Sequence, residues 1–299
     1  MGWWLPLVRC PVSGDELALE EGNLEAGILR ASDTVLRYPV IGGVPFLVPN
    51  VEHYLARHHD AVLASLAEVG LATKDTVERL SDFSKDVRTC AARFEDDWTD
   101  SEVDPSAPRF VVPQSDVGKC LGDLFAFDRS GGAKARMLQR FSDASPIATS
   151  IEIGVGAGNF VHALAECSTR TMIVDISPRA AFRMRGLPNV APLVMDAEAL
   201  AFAPAVADLV VAANLIDLVD APLSFLTGVA DVLRLDGQLL LTTPDPWPWE
   251  GASSLAAALF EHAGLRLESF EDDLPWLRDH GPRELQLFLV QLLSARRNT

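Results

Sequence analysis

What the chain lacks narrows its class before any motif is read. Its four cysteines, Cys10, Cys90, Cys120 and Cys167, lie far apart and form no CxxC pair, so no metal knuckle or dithiol redox motif is visible. Reduced, mostly buried thiols are expected. Positive charge is scarce: 25 Lys and Arg stand against 42 Asp and Glu, a formal net charge of -17. Holding nucleic acid by phosphate neutralisation needs clustered Lys and Arg, which disfavours a tRNA or DNA substrate. No apolar run approaches the ~18–20 residues that span a bilayer. The start, Met1-Gly2-Trp3-Trp4, has neither the charged flank nor the long apolar stretch of a secretion signal. These absences lead to the expectation of a soluble cytoplasmic protein. Of the six histidines only His58 and His59 are adjacent, and that pair reads as part of a surface helix rather than a metal site.

What is present suffices for a sizeable core, with 48% of the 299 residues hydrophobic, in one large domain or two smaller ones. Three regions differ in character. Residues 1–50 hold short apolar runs between turn signals such as Val12-Ser13-Gly14-Asp15 and Glu21-Gly22-Asn23, the pattern of a small antiparallel sheet. In 51–145 the apolar residues fall at helical spacing, Leu55, Val62, Leu63 and Leu66 among them, so helices are expected over 51–71 and 75–94. An acidic, proline-bearing stretch at 96–113 reads as a loop or lid, and a further helix over 121–141 is broken at Gly131-Gly132. From 146 to 299 strand-like runs alternate with helical ones, the signature of an α/β fold with a doubly wound parallel sheet.

The strongest motif is Ser150-Ile151-Glu152-Ile153-Gly154-Val155-Gly156-Ala157-Gly158-Asn159-Phe160. An apolar strand ends, glycines let the backbone turn and approach a ligand without a Cβ in the way, and a helix N-terminus offers free N–H groups. A second strand, Thr171 to Val174, ends in Asp175, at the distance where an acid can accept both hydroxyls of an adenosine ribose. The alternative for Asp175 is a helix N-terminal acid before Ser177-Pro178. A third strand over 191–194 leads to Asp196, placed to meet an adenine amino group or else to sit in solvent. A fourth, 206–213, runs into Asn214, which joins the cofactor set. A helix over 229–235, a turn at Asp236-Gly237 and a fifth strand over 238–242 complete the pattern.

Glu152-Ile153-Gly154-Val155-Gly156-Ala157-Gly158, Asp175, Asp196, Ala207-Asp208-Leu209-Val210-Val211 and Leu233-Arg234-Leu235-Asp236-Gly237 together resemble the class I S-adenosylmethionine (SAM)-dependent methyltransferase family over 145–299. The resemblance implies a Rossmann-like sheet, SAM as cofactor, Glu152 and Gly154 near the methionine moiety, Asp175 at the ribose and Asp196 at the adenine. A nicotinamide enzyme would want GxGxxG, and Asn159 stands where its last glycine belongs. A nucleotide-dependent oxidoreductase and a SAM-binding regulator or scaffold without turnover remain the competing readings.

Two further resemblances bear on the rest. Tyr38-Pro39-Val40-Ile41-Gly42-Gly43-Val44-Pro45-Phe46, with Leu7-Val8-Arg9-Cys10-Pro11 before it, resembles the small zinc-ribbon-like tRNA methyltransferase activators. Ser13 occupies the place of a cysteine ligand, so a metal-free packing module is expected over 1–50, with a protein partner there one option. The loop Thr243-Pro244-Asp245-Pro246-Trp247-Pro248-Trp249-Glu250 and the segments Asp273 to His280 and Arg283 to Val290 partly resemble the carnosine and ovothiol-type methyltransferases of histidine derivatives. Those members carry Ser-Pro-Tyr-Asp-Trp in the loop, so this chain departs from them. The expected acceptor is a small molecule or peptide, an imidazole or amine nitrogen among the candidates. Trp247 and Trp249 are candidate walls for it, and Asp245, His262 and His280 are candidate bases should the acceptor arrive protonated.

Overall fold

The computed structural model describes residues 2–84, 116–144, 146–244, 252–281 and 284–298. The first region folds as expected into an antiparallel meander, β1 (Leu17–Gly22), β2 (Ala26–Ala31), β3 (Arg37–Ile41) and β4 (Val44–Leu47). Gly42 and Gly43, both at positive φ, make the tight turn between the last two, where L side chains are strained. Cys10 lies buried against this meander, its Sγ 3.2 Å from the Tyr38 hydroxyl and 3.4 Å from the Ser13 N–H.

Helices α1 (Val51–Arg57), α2 (His59–Glu68) and α3 (Lys74–Phe83) follow. The helical stretch is divided more finely than periodicity suggests. His58 leaves helical geometry at φ -107° and ψ 17°, and a capping box between Thr73 and Thr76 starts α3 afresh. His58 is not a surface residue: it is buried, with its ring 4.7 Å from that of Tyr54. Helices α4 (Asp116–Gly131) and α5 (Ala133–Ala144) break at the expected glycine pair.

The remaining chain alternates β5 (Ile147–Ile153), α6 (Val161–Cys167), β6 (Ser168–Asp175), α7 (Pro178–Arg183), β7 (Val190–Met195), β8 (Ala207–Ala213), α8 (Pro222–Val232), β9 (Leu233–Thr243), α9 (Ala252–His262), β10 (Leu265–Gly281) and β11 (Glu284–Arg297). The eleven described strands form one sheet in the order β1-β2-β3-β4-β7-β6-β5-β8-β9-β11-β10. Strands β5 to β9 pair in parallel, and β11 and β10 close the far edge antiparallel. The join no local pattern announces is β4 to β7, parallel, with Phe46 opposite Val194 and Leu47 opposite Met195.

Strand β8 shows why its sequence after Asp208 is a continuous apolar run. Val210 and Ala212 pack on one face with Phe225 and Leu226 of α8 and Phe260 of α9. Leu209 and Val211 pack on the other with Met137 and Phe141 of α5 and Leu164 of α6. A strand buried on both sides has no polar face to alternate. The expected helix over 229–235 is shifted: α8 stops at Val232, and β9 begins at once. The Asp236-Gly237 turn lies inside that strand, where Asp236 takes φ 59° and the register with β8 jumps from Leu233 to Gln238.

Candidate functional site

The four central strands present their carboxyl ends at one edge of the sheet, where ligands of open α/β sheets gather. At the end of β5 the glycine loop turns with φ of 73° at Gly154, 49° at Gly156 and 79° at Gly158. A side chain at Gly158 would also run into the Met184 methyl group. Gly154 N–H donates to Val174 O (2.8 Å) and Gly158 N–H to Val155 O (2.8 Å).

Asp175 ends β6 and spans to this loop: one carboxylate oxygen accepts the Gly156 N–H at 2.9 Å and the other the Ser177 N–H at 2.7 Å. It thus supports the loop and the turn into α7, whatever further partner its remaining lone pairs take. Burial pushes its carboxyl up, and the Gly156 and Ser177 N–H groups offset part of that rise.

Glu152 is the unusual group. It is 2% exposed, and its Oε2 has no hydrogen-bond partner among the described residues. Burial first, and the Asp175 charge second, push its carboxyl well above the ordinary value. A buried acceptor without a donor is costly. The Asp175 carboxylate is thus near enough to oppose ionisation of Glu152.

Asp196 lies just past β7 and accepts the Glu198 N–H at 2.9 Å. Asn214 follows β8 at φ 51°; its N–H donates to Thr242 O (2.8 Å) and its Oδ1 accepts the Thr242 hydroxyl at 2.8 Å. Glu152, Gly154, Gly156, Gly158, Asp175, Asp196 and Asn214 are therefore brought together along one edge. His262 is not among them: it ends α9, just before β10 starts opposite Arg297, whose guanidinium reaches Leu233 O at the amino end of β9. His280 lies near the tip of the β10/β11 hairpin. Asp245, Trp247 and Trp249 fall outside the described residues.

Four features escape sequence reasoning. The hairpin continues past the last β11/β9 pair, Gln291 with Thr243, so residues 274–281 and 284–290 form an arm beyond the carboxyl end of β9. Trp276 on this arm meets Phe160, directly after the glycine loop, at 6.0 Å between ring centroids, and Phe160 meets Phe141 at 5.5 Å. Gln291 at the root of the arm is 1% exposed, with Oε1 unpartnered among the described residues. Tyr54 of α1 donates its hydroxyl to Ile176 O at 2.5 Å, beside Asp175. Each depends on pairing between distant segments, and only the aromatic content of the segments was visible beforehand.

Residues 151–241 match the family model described as a methyltransferase domain. No curated protein matches the chain in sequence. Among solved structures it is similar to a candidate methyltransferase from Bacillus halodurans (17% identity, TM-score 0.46, covering 55% of this chain and 98% of that one). It is similar also to a chain of the complex between the Haloferax volcanii Trm112 methyltransferase activator and its candidate methyltransferase (16%, 0.46, 60% and 94%). A third is the N-methyltransferase NodS from Bradyrhizobium japonicum, in complex with S-adenosyl-L-homocysteine (14%, 0.42, 58% and 92%). The matched residues hold the glycine loop, both acids and the central parallel strands, and they make the chain the bearer of a class I, SAM-dependent methyltransferase domain.

Proposed function

We propose that the enzyme methylates a small or peptide-like acceptor that enters over the carboxyl ends of β8 and β9, with the cofactor held by Glu152, the loop of Gly154, Gly156 and Gly158, Asp175, Asp196 and Asn214. The observation that carries this reading is the buried, unpartnered Glu152 oxygen beside Asp175. SAM has the complementary chemistry, a sulfonium and an ammonium group with a ribose diol, and its sulfonium supplies an already activated methyl group. The glycine loop lets the backbone approach the ligand with no Cβ in the way, and Asp175 contributes the ribose contact on a carboxylate already fixed by two amides.

The residues around the cofactor then have a modest task, to hold the acceptor in line with the methyl group and keep water out. A base is needed only for an acceptor that arrives protonated. Asp245 and His280 stay candidates for it; His262 does not, because α9 ends at the opposite edge of the sheet. We place the acceptor at the root of the arm, where Gln291 offers a carbonyl oxygen and Leu287 and Leu289 expose an apolar stripe, and keep Trp247 and Trp249, which follow β9 in the chain, as its candidate walls. An acceptor with an N–H donor and an apolar or heteroaromatic body fits, and an imidazole belongs to that class. Residues 1–50 act as a packing module for this enzyme and offer β1, the outermost strand on that side among the described residues, to a protein partner.

Transfer of tritium from methyl-labelled SAM to a panel of amines, imidazoles and peptides tests the proposal. Label in at least one class is the expected result, and Trp247→Ala or Trp249→Ala should then lower kcat/KM for that acceptor by roughly 5–150-fold, the loss of about 1–3 kcal/mol from a stacking or cation–π face. SAM binding without transfer to any acceptor would favour a regulator. Saturable NADH binding with none of SAM would sink the assignment.

A further inference from the structure

Between Asp175 and Ser177 a single peptide unit is held from both ends. Its N–H, that of Ser177, donates to Asp175 Oδ1 at 2.7 Å. Its carbonyl, that of Ile176, accepts the Tyr54 hydroxyl at 2.5 Å. The peptide is planar, so its N–H and C=O turn together, and rotating the carbonyl away from Tyr54 would pull the amide off Asp175. Asp175 in turn spends its second oxygen on Gly156 of the glycine loop. One chain of hydrogen bonds therefore runs from Tyr54 through the peptide to the acid and on to the loop.

Tyr54 is built to hold its end. It sits on α1, whose N-cap Asn50 accepts the His53 N–H at 3.2 Å directly after β4. Its ring is 9% exposed and wedged between Phe46 of β4, at 6.3 Å, and His58, at 4.7 Å. Burial, with the Asp175 charge added, pushes the phenol far above its ordinary range, so it stays a neutral donor at every pH the enzyme meets.

We propose that Tyr54 is a positioning residue for the cofactor site: through the Ile176–Ser177 peptide it fixes the orientation of Asp175, and it makes the segment after the N-terminal strands part of the cofactor-binding machinery. The proposal rests on the reading of Asp175 as the ribose acid. Tyr54→Phe keeps the ring and its packing and removes only the donor.

The test is a double-mutant cycle on S-adenosylhomocysteine affinity by titration calorimetry, with the full chain, Tyr54→Phe, Asp175→Asn and the pair. Tyr54→Phe should weaken binding by roughly 5–30-fold, the range of one lost buried hydrogen bond. In the Asp175→Asn background it should cost less than about two-fold, because residues acting through one network are not additive. Hydrogen exchange in the unliganded protein gives a second readout, in which the Ser177 amide should exchange on the order of ten-fold faster in Tyr54→Phe while amides of α2 stay unchanged. Equal losses in both backgrounds, or Tyr54→Phe with normal affinity and normal Ser177 exchange, would overturn the proposal. Binding by the unaltered chain that Asp175→Asn leaves intact would instead overturn the ribose role of Asp175, and the proposal with it.

Discussion

Glu152 pits stability against function at the scale of one side chain. In the unliganded protein its carboxyl is buried next to Asp175 and its ionisation is opposed. Well below pH 4.5 the group is protonated in folded and unfolded chains alike and its ionisation adds no penalty. As the pH rises, the unfolded chain ionises first, and stability falls until the folded carboxyl titrates at its raised value. Glu152→Gln removes that penalty. We expect the variant, without ligand, to melt above the unaltered protein at pH 8, the gap closing toward pH 4. Its affinity for SAM should fall roughly 10–150-fold, the size of a lost charge-assisted contact of about 1.5–3 kcal/mol. Thermal scans at several pH values and calorimetry check the two halves, and a variant that melts lower at pH 8 would count against the burial argument. The glycine loop and its two acids were legible in the sequence because spacing alone brings residues 152 to 175 to one edge once two strands are parallel neighbours. Tyr54 and Gln291 were not, because nothing local distinguishes a buried tyrosine or glutamine that faces a site from one that faces a core.

Among the elements, the arm formed by β10 and β11 stands apart. Its outer strand is an edge, a place for unwanted pairing, and helix α5 seals it. Lys134 donates to Leu277 O at 2.9 Å while lying 4.7 Å from the Trp276 ring centroid, and Glu271 takes Arg140 at 2.6 Å and Arg136 at 3.1 Å. A bulge between Glu271 and Leu274, with Asp273 at φ 55°, sets two residues opposite Gln291, the kind of irregularity that re-aims side chains beside active sites. Pro275 explains part of what sequence reading missed. A proline ordinarily speaks against a strand and is tolerated on an edge, which only the assembled sheet reveals. Lys134→Met keeps the apolar stem over Trp276 and gives up the hydrogen bond and the cation–π contact, about 1–2 kcal/mol together. Exchange of the amides of Leu274, Trp276, Leu277 and Arg278 should quicken with that over β8 unchanged. An unaltered exchange pattern would mean that the arm is held by the aromatic stack of Trp276, Phe160 and Phe141 alone.

For the whole molecule, the question is whether the N-terminal strands are an appendage or part of the fold. The sequence marks them off by composition and turn signals and gives no sign that β4 pairs with β7, since a parallel pairing between remote segments leaves no local pattern. In the folded chain Phe46 and Leu47 are fully buried on that join, and one hydrophobic cluster runs from Trp4 and Val8 through Val194 and Met195 to Leu293 and Ala295. Glu25 pairs with Arg185 across the same boundary, and Glu68 of α2 pairs with Arg179 and Arg183 of α7, though exposed pairs of this kind contribute little each. A shared core has no layer at which one part can melt and leave the other covered. We therefore expect 1–84 and 146–298 to unfold in one cooperative transition, with calorimetric and van't Hoff enthalpies equal. A chain beginning at Val51 should lose the edge strand over β7, expose an apolar edge and aggregate rather than fold. Two resolved transitions, or a truncated chain that is monomeric and melts at the full-length temperature, would show that the strands only lean on the sheet.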